Sequence, residues 1–230
     1  MLHVKDLIID YADGTRAVDG LSFSVAAGEN VALIGANGAG KTSLLLSLVG
    51  ILTPASGEIL INDLPLSKDN LRQIRSQVGL VFQNPDDQLF MPTIGEDIGF
   101  GPRSFGYDEA ETASRVTSAL EELGIVHLGE RSPLKLSSGE KRLAAIGTVL
   151  ALSPTFLLFD EPTAFLDPRA RRNLTSILGE LPQGKLIATH DLSFAEQVCT
   201  RVLLVQKGKL VEDSGTGLLA DESTLETAGL

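Results

Sequence analysis

Gly35-Ala36-Asn37-Gly38-Ala39-Gly40-Lys41-Thr42 has the spacing of a loop that cradles phosphates: a glycine, four residues, then glycine, lysine and a hydroxyl residue. The glycines let the backbone curl so that successive N–H groups face phosphate oxygens, and a helix beginning at Lys41 adds the partial positive charge of its N-terminus. In that arrangement Lys41 reaches the β- and γ-phosphates of ATP, and the Thr42 hydroxyl is offered to Mg2+.

A second chemical pair lies far along the chain. Asp160 and Glu161 follow the apolar run Phe156-Leu157-Leu158-Phe159, and buried carboxylates are costly unless something uses them. At the carboxyl end of a buried strand they face the crevice where such sheets bind ligands. Successive strand residues point to opposite sides, so Asp160 is expected to serve the magnesium shell and Glu161 the attacking water, a division suited to hydrolysis.

Both groups need a rigid frame. Val31-Ala32-Leu33-Ile34 reads as a strand leading into the loop. Leu44, Leu45, Leu48 and Val49 share one face of a helix over 41–49, stopped by Gly50 and Pro54. The runs Phe156–Phe159 and Leu186–Thr189 are continuous rather than alternating, as in strands covered on both faces. Between them Leu174, Ile177, Leu178 and Leu181 mark a crossover helix, so an α/β fold with a mostly parallel sheet is expected. The first residues, Leu2 to Ile9, read as a strand.

From about Asn84 to Lys135 strand signals vanish. A helix with the stripe Ala113, Val116, Leu120 and Leu123, ended by Gly124, suggests a helical lobe inserted between core segments 1–83 and 136–212. Residues 212–230 carry five acids and no Lys or Arg, and this acidic tail, 213–230, is expected to fray or pack loosely.

Composition narrows the partners. Nineteen Lys and Arg against 30 Asp and Glu leave a net charge of −11, the wrong sign for wrapping a nucleic-acid backbone. No apolar run approaches the length of a membrane-spanning helix, and no export signal is expected. Cys199 is the single cysteine, so no internal disulfide is expected. No His or Cys cluster is present for a transition metal.

With these motifs in this order the sequence resembles the nucleotide-binding subunit of an ABC transporter, from about Leu2 to Leu210. The resemblance implies an ABC ATPase fold, with an antiparallel β subdomain beside the phosphate-loop core, and nucleotide contacts that extend to Ser43. Leu136-Ser137-Ser138-Gly139-Glu140 is similar to the family signature Leu-Ser-Gly-Gly-Gln, with Ser138 and Glu140 as departures. Ser137 and Gly139 are then implied to contact the γ-phosphate held by a second subunit, so two chains meet head to tail. The same four-residue spacing, Ser137 to Glu140, also makes a helix-capping box.

Further residues take roles from the resemblance. Gln83, after the run Val78 to Phe82, corresponds to a glutamine that senses magnesium and water; His190, after the Leu186–Thr189 strand, to a histidine on the γ-phosphate. Tyr11 corresponds to an aromatic that stacks on adenine. Asp167 before Pro168 is a helix N-cap, to which the family adds a role across the dimer, where Phe165 is bulkier than usual.

The segment Phe82-Gln83-Asn84-Pro85-Asp86-Asp87-Gln88-Leu89-Phe90, with Thr93, Glu96, Asp97 and Phe100-Gly101-Pro102, is similar to the energy-coupling-factor type, especially cobalt and nickel importers. That resemblance implies a homodimer or a heterodimer with a second ATPase, a transmembrane coupling subunit, a small substrate-binding membrane subunit and a peripheral position on the cytoplasmic face of the membrane. The alternatives are the ATPase of another ABC importer or exporter, a non-transport ABC ATPase and a small-molecule kinase with a phosphate loop.

Overall fold

The computed structural model describes residues 1–227. In chain order the strands are β1 (Leu2–Asp10), β2 (Arg16–Val25), β3 (Asn30–Ile34), β4 (Ser56–Ile61), β5 (Leu64–Pro65), β6 (Val78–Val81), β7 (Phe156–Asp160), β8 (Gly184–Ala188), β9 (Arg201–Gln206) and β10 (Lys209–Gly215). The helices are α1 (Lys41–Leu48), α2 (Leu71–Gln77), α3 (Ile94–Ser104), α4 (Glu109–Glu122), α5 (Ser138–Leu150), α6 (Pro168–Glu180), α7 (Leu192–Val198) and α8 (Glu222–Thr227). Among the described residues no helix is long and apolar enough to cross a membrane.

These elements divide into two compact units. The first holds Met1–Leu80, Thr155–Glu161 and the segment that starts at Pro182; the second holds Val81–Pro154 and Pro162–Leu181. The second unit therefore contains α5 and α6 as well as residues 84–135.

In the first unit a six-stranded sheet runs β10-β9-β3-β8-β7-β6. Strand β3 pairs in parallel with β8 and β9, β7 pairs in parallel with β8, and only the edge pair β9 and β10 is antiparallel among the pairings described. Val31 to Ile34, Phe156 to Phe159 and Leu186 to Ala188 are all buried, the reason these runs do not alternate. A separate sheet, β2-β1-β4-β5, is antiparallel, and β1 shows the alternation of a strand covered on one face near its start. Helix α1 packs against β7 with Leu44, Leu45 and Leu48 buried.

The second unit is helical. In α4 the buried stripe is Thr112, Ala119 and Leu120, continued by Leu123, whereas Ala113 is exposed and Val116 half-buried. Leu120 and Leu123 of the expected stripe are thus buried and Val116 lies at its edge, while Thr112 takes the inward place expected of Ala113; the Asp108 side chain accepts the Glu111 N–H at the helix start. Residues 212–227 are not loose: they complete β10 and continue through a short 3-10 turn into α8, and Leu225 is buried. The Arg201 guanidinium holds Asp213 through bonds of 2.6 and 2.7 Å, which explains how an acidic segment can pair as an edge strand. Residues 228–230 of the acidic tail lie outside the described residues.

Strand β8 also carries Lys185, 1% exposed, whose Nζ donates to the Asn30 Oδ1 and the Gln183 carbonyl at 3.1 and 2.9 Å. Burial lowers its pKa from 10.5 to about 8. Between those values the unfolded chain keeps a proton that the folded chain has released, so stability rises with pH across this window. The rise is about 2 kcal/mol between pH 8 and pH 10. Urea unfolding at pH 8 and pH 10 is expected to show it in the wild type relative to Lys185→Met, which lacks the titrating group.

Candidate active site

The phosphate loop joins the end of β3 to the start of α1, and its glycines are required by packing. Gly40, the residue before α1, has φ +101°, and a Cβ there would collide with the Ala17 carbonyl oxygen. A Cβ on Gly35 would collide with the Val205 carbonyl oxygen. Any side chain at either position would open the turn, and the N–H groups would no longer converge.

Lys41 is 7% exposed, and its Nζ donates to the carbonyls of Gly35 at 2.6 Å and Ala36 at 3.3 Å. The ammonium therefore lies across its own loop. Burial pulls its pKa down, while the charges of Glu161 and Asp160 oppose that effect. A triphosphate would replace two carbonyls with anionic oxygens and favour the charged form further.

Thr42 Oγ1 donates to Asp160 Oδ2 at 2.8 Å, which joins the start of α1 to the end of β7. A hydroxyl and a carboxylate side by side form an oxygen donor set of the kind a hard cation takes. Among the described residues no group of three or more His, Cys, Asp or Glu could hold a metal ion. The pair nevertheless fits Mg2+, which commonly takes one or two protein oxygens and completes its shell with phosphate and water.

Strand β7 ends at Asp160, so the strand pleat expected to separate the two carboxylates does not reach Glu161. The separation comes instead from a backbone turn: Glu161 has φ +45°, an uncommon conformation for a residue with a side chain, costing on the order of 1–3 kcal/mol. Its N–H donates to the Ala188 carbonyl at 2.8 Å. Its Oε2 lies 2.8 Å from His190 Nδ1 and accepts the His190 backbone N–H at 3.3 Å. Glu161 is only 7% exposed, whereas the His190 side chain is 65% exposed. With Nδ1 engaged, Nε2 is the ring nitrogen left for a phosphate oxygen.

Tyr11 completes this side of the loop. Its hydroxyl bonds Ser43 Oγ at 2.7 Å, and the residue remains 41% exposed. Lys41, Thr42, Ser43, Asp160, Glu161, His190 and Tyr11 are thus all placed by the first unit. Ala36 is half-buried, Asn37 and Gly38 are exposed, and Ala39 is buried.

Gln83, Ser137 and Gly139 belong to the second unit. The Gln83 side chain is exposed and its carbonyl accepts from Arg142 Nη2 at 2.6 Å, while the Phe82 carbonyl accepts from Nη1 at 2.6 Å. Ser137 caps α5 in a capping box with Glu140. A Cβ on Gly139 would sit 2.8 Å from Ala170 Cβ, so the α5 and α6 starts approach as closely as only glycine permits. Asp167 caps α6 through the N–H groups of Arg169 and Ala170, which hold its carboxyl below the usual range. Phe165 is 81% exposed with φ +62°.

Arg142 was not singled out in the sequence, and Gln88 entered only as one residue of the Phe82–Phe90 segment with no role of its own, although both organise the Gln83 segment. Arg142 is 1% exposed. A charged residue one turn before Ile146, on the apolar stripe that continues to Leu150, was the available signal. Gln88 accepts the Phe82 N–H and donates to the Ala145 carbonyl and Thr148 Oγ1 at 2.9 and 2.7 Å. A polar residue inside a turn gives no such warning.

A family model described as "ABC transporter" matches residues 18–164. A protein of Methanothermobacter thermautotrophicus named energy-coupling factor transporter ATP-binding protein EcfA is 44% identical, over 95% of this chain and 71% of its own length. The protein of the same name from Carboxydothermus hydrogenoformans is 40% identical, over all of this chain and 86% of its own. The solved structure of cbiO1 from Clostridium perfringens, described as part of the ABC transporter complex cbiONQ, is 35% identical with a TM-score of 0.87, covering 98% of this chain and 93% of that one.

Proposed function

The chain belongs to the ABC transporter family and is an ATP-hydrolysing cassette of that family, and from that premise we propose that it drives an importer of the energy-coupling-factor type. Two copies, or one copy and a related ATPase, close around two ATP molecules and reopen after hydrolysis. Coupled membrane subunits follow that motion from the cytoplasmic face. Cobalt or nickel is the cargo class, carried by the membrane subunits and not by this chain. The names of the EcfA relatives and of the cbiONQ complex support the energy-coupling-factor type, and the cargo class rests on the resemblance of the segment from Phe82 to Pro102 alone.

Each nucleotide site then uses these residues in defined roles. Backbone N–H groups of 35–42 and the start of α1 hold the phosphates, Lys41 bridges the β- and γ-phosphates, and Tyr11 stacks on adenine, with Ser43 holding its hydroxyl. Thr42 and Asp160 would hold Mg2+, which would offset phosphate charge, and Gln83 would take the magnesium role that the family resemblance implies. Glu161 takes a proton from the attacking water, and His190 orients Glu161 and contacts the γ-phosphate. Ser137 and Gly139 reach the γ-phosphate of the other copy.

The observation that carries the transport assignment is an exposed aromatic pair on the segment after Gln83. Phe90 and Phe100 are 63% and 46% exposed and meet edge to face with centroids 5.0 Å apart. Buried Asp97 fixes the loop beneath them by accepting the N–H groups of Phe90 and Met91, both at 2.9 Å. A built surface of this kind fits an apolar element of a membrane subunit. Purification from the native host in mild detergent is expected to bring down membrane-spanning subunits, and Phe90→Asp to lose them. Recovery with ribosomes or DNA instead would sink the transport reading.

A further inference from the structure

Ser137 has one hydroxyl hydrogen, and Glu140 takes it. Ser137 Oγ donates to Glu140 Oε2 at 2.7 Å, and the Ser137 backbone N–H donates to the same oxygen at 2.8 Å. In return the Glu140 N–H donates to Ser137 Oγ at 3.3 Å. The other carboxylate oxygen, Oε1, lies 3.7 Å from Arg131 Nη1. Both polar hydrogens of Ser137 are therefore committed to a carboxylate, and a negative charge stands beside the start of α5.

We propose that Glu140 is a latch on Ser137, an internal carboxylate that competes with the nucleotide phosphate of a second copy and so sets the ATP level at which two copies close. The proposal rests on the reading above in which Ser137 contacts that phosphate. The competition is chemical: a phosphate oxygen needs the same hydroxyl hydrogen, and charge-assisted hydrogen bonds are about twice as strong as neutral ones. The incoming anion also meets an anion at short range. Ser137 holds the carboxyl below its usual range, first through its N–H and then through its hydroxyl, so the latch is charged at neutral pH. Arg131 offsets part of the charge. Glu140 acts through Ser137 and is a positioning residue.

Glutamine separates the latch from the cap, because glutamine also completes a capping box while carrying no charge. In a Glu161→Gln background, light scattering against Mg-ATP concentration reads the half-point for doubling of mass. Glu140→Gln is expected to lower that half-point by about tenfold, the ratio between a charged and a neutral hydrogen-bond partner. Loss of a merely structural contact would not give such a gain. Ser137→Ala is expected to raise the half-point, and Glu140→Gln to lower it by clearly less in the Ser137→Ala background than in the presence of the hydroxyl, because only the charge repulsion is then left to relieve.

The outcomes separate the two claims. If Ser137→Ala raises the half-point while Glu140→Gln leaves it unchanged or raises it, the latch is refuted and the Ser137 reading stands. A gain as large in the Ser137→Ala background as with the hydroxyl present refutes the latch too, since the effect then bypasses the hydroxyl. An unchanged half-point in Ser137→Ala refutes the Ser137 reading itself, and the latch with it. Should Glu140→Gln fail to fold, Arg131→Met tests the opposite direction: removing the compensating cation is expected to raise the half-point severalfold, and no change overturns the proposal.

Discussion

Glu161→Gln is expected to lower steady-state phosphate release by about a thousandfold, within the range that loss of a positioned general base gives. The amide has nearly the same shape, so the bonds to the backbone N–H of His190 and the packing of a residue that is 7% exposed can persist. What is lost is basicity. The carboxylate Oε2 sits 2.8 Å from His190 Nδ1, and an amide oxygen there cannot take the proton of a water. ATP affinity of the single chain is expected to change little, because Lys41, Thr42 and the loop N–H groups that hold the phosphates are all kept. A coupled-enzyme assay for phosphate checks the rate, and turnover at the wild-type rate would remove Glu161 from its role.

Lys41→Ala is expected to weaken ATP binding by about a hundredfold, as loss of a charge-assisted contact to a dianionic phosphate implies. The variant removes the one ammonium that lies across the loop, bonded to Gly35 and Ala36. Asp160 and Glu161 then face each other's charge without that cation, whose interaction with both is part of the Lys41 titration. Binding of a fluorescent ATP analogue reads the loss, and Lys41→Arg is expected to restore little, since the guanidinium is too broad for the place of a side chain only 7% exposed. Retained affinity in Lys41→Ala would mean that the backbone alone holds the phosphates.

Much of this site was legible in the chain because its residues follow continuous apolar runs. Val31–Ile34 and Phe156–Phe159 are buried strands, and the loop and the carboxylates stand at their ends. His190 was legible by the same rule, one residue beyond Thr189. The direction of Glu161 was not, because the strand stops one residue earlier and a positive φ re-aims the side chain. Arg142 was not legible either: its guanidinium is spent on the Phe82 and Gln83 carbonyls, partners distant in sequence. The amphipathic period placed α4 and the inward side of Leu120 and Leu123, and missed only that Thr112 rather than Ala113 is buried. In residues 212–227 charge alone suggested looseness, and the Arg201 pairing with Asp213 overrides it.

The mass of the Glu161→Gln protein in Mg-ATP tests the central claim most directly, because a site completed by Ser137 of a second copy must close only when ATP is present and hydrolysis is blocked. Light scattering is expected to give twice the 24.4 kDa of one chain with ATP and the single-chain mass with ADP. A protein that binds ATP fully and keeps the single-chain mass at every concentration would contradict the account of two chains sharing each nucleotide.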